Sequence, residues 1–191
     1  MTKKIGLKGF SSLVFFPLVS DTATEYKTEE KPIKMIGAKS CNPSDNHSDF
    51  NIPGDDGTYD SGSEWDYTDL EIVVNEMDLI SLGTFAGATV DEVKTAIEEG
   101  IFDIPNSGAL GYRALRRDGG YRCYRYYHST LLSYSVNHET KGNNSDGQPY
   151  TLKFRCVARI IDGKVRGTED VANAKEADEW LASMPTVTAE A

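Results

Sequence analysis

From Tyr150 to Ile160 the chain alternates without a break. Tyr150, Leu152, Phe154, Cys156, Ala158 and Ile160 point one way; Thr151, Lys153, Arg155 and Arg159 point the other. A period of two over this length describes a strand with one buried face and one wet face, and no helix satisfies it. The period recurs. Residues 64–74 put Leu70, Ile72 and Val74 on one side, with Trp65, Tyr67 and Val73 on the other. Residues 109–117 and 121–128 read as two strands joined through Asp118-Gly119-Gly120, a hairpin signal. Residues 131–138 continue with Leu132, Tyr134 and Val136. Asp162-Gly163 turns into a short strand near Val165.

The N-terminal apolar stretch, Leu13 to Val19, follows Lys3, Lys4 and Lys8 and loosely imitates a secretory signal. Gly6, Gly9, Ser11, Ser12 and Pro17 interrupt it, and its residues alternate, so it reads as a first strand. No stretch reaches the roughly 20 apolar residues a membrane helix needs.

One helix is expected. Thr89-Val90-Asp91-Glu92 has the form of a capping box, Val90, Val93, Ile97 and Ile101 follow at helical spacing, and Gly100 offers a stop. This predicts a helix at about 90–99. A weaker helix reads over 169–182, and the end from Pro185 reads as a tail. Residues 40–63, rich in Ser, Asn, Asp, Gly and Pro, read as a long loop, and 139–149 as a shorter one. The expected fold is mainly β: a β-sandwich or half-barrel with one flanking helix. With 191 residues the chain suits one domain, placed at 1–167, with 168–191 as a C-terminal helix and flexible tail.

The formal charge is −10, a poor balance for gripping phosphates, since that grip needs basic side chains that release counterions. Residues 41–78 hold eleven acids and no Lys or Arg; the rest of the chain holds 19 acids against 20 bases. The usual reading of such a run is a solvated face. A calcium site is the sharper one, but Asp55-Asp56-Gly57 and Asp60 lack the spacing of a calcium loop. The opposite signal is 112–128, where Arg113, Arg116, Arg117, Arg122 and Arg125 interleave with five tyrosines. Such a stripe can clamp single-stranded nucleic acid. The net charge favours a protein–protein interface instead, an acidic face of one copy meeting a basic face of the next.

Catalytic patterns are missing. The chain has no GxSxG, P-loop, GxGxxG or HExxH, and His47, His128 and His138 have no ligand spacing. Cys41, Cys123 and Cys156 match no disulfide framework or zinc pattern, which suits a reducing compartment. No enzyme, cofactor or metal is expected.

Taken in order, several segments carry a resemblance. They are IGLKGF (Ile5 to Phe10) leading into Phe15-Phe16-Pro17-Leu18; Asp55-Asp56-Gly57-Thr58-Tyr59; and TDLEIVVNEM (Thr68 to Met77). Leu82-Gly83, TVDEV and GALGYRALRRDGGYRCYRYY (Gly108 to Tyr127) follow, then Glu139-Thr140-Lys141. Over about residues 5–165 the chain resembles the major tail proteins, or tail tube proteins, of bacteriophages with long non-contractile tails. The resemblance implies a β-sandwich or half-barrel subunit. Six copies form a ring, and stacked rings form a tube that conducts genomic DNA into the host cell. It implies no catalysis, cofactor or metal. The implied partners are other copies, the tape measure, tail terminator and distal tail proteins, and double-stranded DNA in passage, with no membrane. The implied place is the virion tail, after synthesis in the host cytoplasm.

Within that reading Glu64, Asp66 and Glu71 are expected to face the bore, where an acidic wall repels phosphate. Because Glu64 and Asp66 share a face with Leu70, a bulge or twist must intervene. Asp55, Asp56, Tyr59, Arg113, Arg116, Arg117, Arg122 and Arg125 are the expected contacts between subunits or rings. The alternative is a non-enzymatic β-sandwich module that binds carbohydrate or a host surface, with Tyr59, Trp65 and Tyr67 stacking on sugar rings.

Overall fold

A computed structural model describes residues 6–55, 57–136, 138 and 148–188. Asp56 and the Glu139-Thr140-Lys141 segment lie outside the described residues, as does most of the 139–149 loop. The strands are β1 (Leu7–Asp21), β2 (Glu25–Thr28), β3 (Ile33–Met35), β4 (Ala38–Gly54), β5 (Gly57–Val74), β6 (Thr89–Asp91), β7 (Ala96–Glu98), β8 (Ser107–Arg116), β9 (Tyr121–Val136), β10 (Tyr150–Val157), β11 (Arg166–Val171) and β12 (Val187–Thr188). The helices are α1 (Leu79–Ala86) and α2 (Ala174–Ala182). The fold is mainly β, as the alternation predicts.

One antiparallel sheet runs β12-β2-β1-β8-β9-β10-β5-β4, with β3 also on β1 and β11 also on β9. β3 lies near one border and β4 forms the other, yet only Ile36 and Gly37 separate them in the chain. Gly37 takes φ +71°, which a residue with a side chain rarely adopts, and its carbonyl accepts from Asn75 N at 2.9 Å. The sheet therefore curls into a half-barrel, not a closed barrel, with the chain stepping across the gap.

The concave side holds the core. Leu13 and Phe15 of β1 meet Leu70 and Ile72 of β5, Leu110 of β8, and Leu152 and Phe154 of β10. Phe85 of α1 plugs the middle, its ring 4.8 Å from Phe15 and 5.9 Å from Phe154. Each such side chain contributes roughly 1.5–3 kcal/mol on burial. The register repeats the sequence pattern: Leu152 pairs with Ile72, and Phe154 with Leu70. β1 breaks the alternation, with Leu13, Val14, Phe15 and Phe16 all buried. Both of its faces are covered, since Val14 and Phe16 pack under Leu181 of α2 on the convex side.

Two expectations are corrected. Residues 90–99 form no helix; they hold the β6–β7 hairpin, with Val90 paired to Ile97. The Asp91 carboxylate accepts from Val93 N and Lys94 N at 3.1 Å, which bends the chain where a helix would have to run on. Val90 and Ile97 sit on α1, where a Cβ at Gly83 would lie 2.5 Å from Ile97 Cγ2 and 2.9 Å from Val90 Cγ2. The flanking helix is α1. Asp78 caps it by accepting from Ser81 N at 2.9 Å, and Gly87, at φ 69°, closes it.

Residues 40–63 are not a loop. They belong to the β4–β5 hairpin, paired from Ala38↔Val74 out to Gly54↔Gly57. The polar composition misleads because this ladder holds through its backbone while most of its side chains stay in water. Pro43 and Pro53 fit β4 because it is a border strand, where a missing N–H costs no ladder bond.

Candidate functional site

The β4–β5 hairpin outruns the sheet. β10 accompanies β5 only over Thr68–Val74, so from Gly57 to Tyr67 the hairpin has no strand beside it except its own β4. No described residue from His47 to Ser63 is buried. From Asn46 to Gly54 this makes a two-stranded arm of about 25 Å, at about 3.3 Å per residue. Both of its borders carry unpaired backbone groups, which is how one chain recruits a strand from another.

The arm is anchored at its root. Thr68 is fully buried, and its hydroxyl donates to Asp45 Oδ1 at 2.5 Å. Arg166 of β11 forks onto the same carboxylate, with Nη1–Oδ1 and Nη2–Oδ2 both at 3.0 Å. The Thr68 hydrogen bond and the Arg166 charge hold the Asp45 carboxyl below its ordinary range. Just beyond the root Asn46 pairs with Tyr67 but His47 pairs with Trp65, leaving Asp66 as an extra residue. That is a β-bulge. It removes the parity conflict between Leu70 and Glu64: past Asp66 the two faces of β5 exchange, so Glu64 leaves the side of Leu70.

Glu64, Asp66 and Glu71 are all exposed on β5. Lys153 of β10 lies 3.6 Å from Glu71, and Ser48 donates its hydroxyl to Asp66. Asp49, Asp55, Asp60, Glu64 and Asp66 have no basic partner among the described residues, so the arm carries unmatched negative charge. Near its end Phe50 and Ile52 are part-exposed and Tyr59 is 83% exposed. Phe50 lies across from Gly62, where a Cβ would come 2.6 Å from its ring.

The basic segment is arranged otherwise than its sequence suggests. Arg113 donates to Asp178 at 2.7 Å and to the Ala174 carbonyl at 3.0 Å, both on α2. Arg122 forks onto Asp170 of β11 at 2.6 and 2.8 Å, and Arg116 reaches Asp118 at 2.5 Å. Arg125 is buried under Trp180. Of the five, Arg117 alone is exposed without an acidic partner among the described residues. Four of these arginines hold α2, β11 and the Asp118 turn in place. Lys27, Lys31 and Lys34, near the border opposite β4, form no ion pair among the described residues, and neither do Glu25, Glu29 and Glu30 beside them, while Lys39 lies on β4 itself. Sequence reading passed over these lysines because acids are interspersed among them.

The aromatic trio of the alternative reading does not converge. Arg155 covers the Tyr67 ring at 3.8 Å, and Trp65 is half-buried with Nε1 donating to Thr68 at 3.2 Å. Tyr59 stands six residues further along the strand, about 20 Å away. Among the described residues no three His, Cys, Asp or Glu side chains gather as a metal site. His47 sits on the arm, and His128 Nδ1 lies 2.5 Å from Asp21 Oδ2.

No protein-family model matches the chain, and no curated protein matches it by sequence. Among solved structures it is similar to a chain of the anti-feeding prophage baseplate, at 10% identity and TM-score 0.45, covering 88% of this chain and 97% of that one. It is similar to Hcp1 from Flavobacterium johnsoniae at 9% identity and TM-score 0.35, covering 84% and 99%. A type six secretion system protein gives 16% identity and TM-score 0.39, covering 83% and 92%. With TM-scores below one half these likenesses carry no argument.

Proposed function

We propose that the protein is a structural subunit of a phage-type tail tube, built to associate with copies of itself and with other tail proteins. One observation carries the reading: a curled sheet with two uncovered borders ends, on one of them, in an arm of two strands with nothing beside it. An open border is a liability that a closed ring of subunits removes. The unmatched acids of the arm make the two ends of the sheet unlike in charge, which suits a head-to-tail contact between two different surfaces. The ring of six, its stacking into a tube, and the passage of double-stranded DNA through it follow from the resemblance in sequence. In that assembly Glu64, Asp66 and Glu71 line the bore and keep phosphate from adhering. Asp55 and Tyr59 at the arm end, with Arg117 and Asp56, make contacts between subunits or rings. Arg113, Arg116, Arg122 and Arg125 shape the surface that receives them. The subunit does no catalysis and works in the virion tail.

Negative-stain microscopy of the purified protein across a concentration series tests this. Rings or tubes with an axial hole are expected. A particle that stays monomeric at millimolar concentration overturns the reading.

A further inference from the structure

The stretch 93–104, between β6 and β8, holds four large apolar side chains in water among its charged ones. Val93, Ile101, Phe102 and Ile104 are 96%, 92%, 88% and 82% exposed. Val93 sits in the β6–β7 turn, at the end of that hairpin away from residues 99–104, whereas Ile101, Phe102 and Ile104 fall within four residues and form one exposed apolar group, the kind of patch that marks an interaction site. The backbone of 100–106 is pinned. Gly100 N donates to Asp103 Oδ2 at 2.7 Å, Asn106 Nδ2 to the Thr84 carbonyl at 2.6 Å, and Asn106 N to the Phe85 carbonyl at 3.1 Å. A Cβ on Gly87 would lie 1.9 Å from the Ile104 carbonyl oxygen, so this segment rests hard against the end of α1. Ile101, Phe102 and Ile104 are thus held outward on fixed backbone, the arrangement that costs least when a partner binds. Asp91, Glu92, Glu98, Glu99 and Asp103 surround them. The one base, Lys94, is taken by Asp91 at 3.3 Å. A surface that fits this patch is apolar in its middle and basic at its rim.

The chain carries such a surface elsewhere. A groove of about 390 Å³ runs beside β3, between β1 and α2, walled by Val14, Met35, Ile36 and Leu181. Its rim holds Lys34 and Asp178. Arg113 matches Asp178 at 2.7 Å, which leaves Lys34 as the unmatched charge. Ile36 is 72% exposed at the mouth. The volume lies in the range of sites that enclose an apolar ligand, roughly 300–1,000 Å³.

We infer that the Ile101–Ile104 segment of one copy docks into the β3–α2 groove of a second copy. The inference rests on the self-association proposed above and names a contact that the border strands alone do not supply. The two surfaces differ, so every copy offers one of each, and the contact repeats until it closes or runs on as a filament. The patch alone falls short of the ~800 Å² per partner of a stable interface, so the docking works together with the strand borders.

Two experiments read it. Phe102→Cys with Ile36→Cys, oxidised after assembly, is expected to give a covalent ladder of copies that neither single variant gives. Ile101→Asp with Phe102→Asp is expected to raise the concentration needed for assembly at least tenfold while leaving the melting temperature unchanged, since both side chains are already in water. Lys34→Glu is expected to weaken assembly likewise, and Glu98→Lys, at an exposed position that pins nothing, to restore it. If wild-type protein assembles but the cysteine pair yields no ladder, or the aspartate pair assembles like wild type, this contact is wrong and the self-association reading stands. A wild type that never assembles overturns both.

Discussion

Arg125 lies flat against Trp180, its guanidinium carbon 3.8 Å from the ring centroid, and donates Nη2 to the Trp180 carbonyl and, at 2.6 Å, to the Ser183 carbonyl. One side chain of β9 thus caps the C-terminal end of α2 and covers the indole of the same helix. Carbonyls at a helix end lack partners within the helix, and a cation there satisfies them. Arg125→Ala is expected to lower stability by about 2–3 kcal/mol in urea unfolding, through the lost stacking and the carbonyls left without donors. Arg125→Lys is expected to recover little, because an ammonium cannot stack and fork at once. A variant within 0.5 kcal/mol of wild type (about the scatter of surface substitutions) would show that α2 needs no such clamp.

Stability should fall in acid, for a reason visible near the β10–β11 turn. Arg159, 4% exposed, stands 4.2 Å from the Tyr127 ring centroid and 5.1 Å from that of Tyr26, and forks onto Asp162 at 2.6 and 2.7 Å. Arg159 holds the Asp162 carboxyl far below its ordinary range, and Arg122 does the same, less strongly, for Asp170. A depressed carboxylate binds fewer protons folded than unfolded. Its contribution is complete above the unfolded value near 3.9 and is lost as pH falls toward the folded one. The urea midpoint is expected to be level from about pH 5 to 8 and to drop below about pH 4. Asp162→Asn should cost about 1–2 kcal/mol at pH 7, since it strands a buried guanidinium while Asp162 itself is 25% exposed. It should also flatten the acid limb. A midpoint that rises on acidification is incompatible with this account.

What could be read from the chain, and what could not, divides by where the stabilising partner lies. β10 was legible because its alternating face pairs Leu152 with Ile72 and Phe154 with Leu70, and burial of one face writes itself into the sequence. The β8–β9 turn was legible because Gly119 at φ 93° is a local requirement. The arm was not, because a ribbon wet on both faces imposes no period on its side chains. The helix was misplaced because Thr89 and Glu92 imitate a cap, while α1 hides behind Gly83, a weak helix former that is kept small by Ile97. Arg113 and Arg122 read as part of a free basic face because their acids, Asp178 and Asp170, lie 65 and 48 residues downstream.

The thiols offer a cheap check on the core. Burial pushes the Cys41 and Cys156 thiols up to about 12 and the Cys123 thiol up to about 11. At pH 8 the reactive thiolate is then scarce on all three. Native protein should give less than one equivalent with a thiol reagent over minutes, and unfolded protein all three. Fast reaction of Cys41 would mean that β4 lifts from Tyr112 and the border is looser than its register implies.

If the proposed assembly holds, the arm lets folding and association be tested apart. Its residues beyond Asn46 and Tyr67 bury nothing in the core, and the Asp45–Thr68–Arg166 cluster that anchors it lies on the body side. Replacing residues 47–66 by a two-residue Asn-Gly turn keeps the ladder through Asn46↔Tyr67 and closes it with a hairpin the strand twist favours. The shortened protein is expected to keep its stability within about 1 kcal/mol, because surface changes away from buried features rarely cost more. Ring formation is expected to fail at every concentration at which the full chain assembles. Analytical ultracentrifugation of both proteins, beside urea unfolding, reads the two properties separately. If the shortened chain unfolds early, the arm belongs to the fold. If it still forms rings, the surfaces that join the copies lie on the body, and the arm has another task.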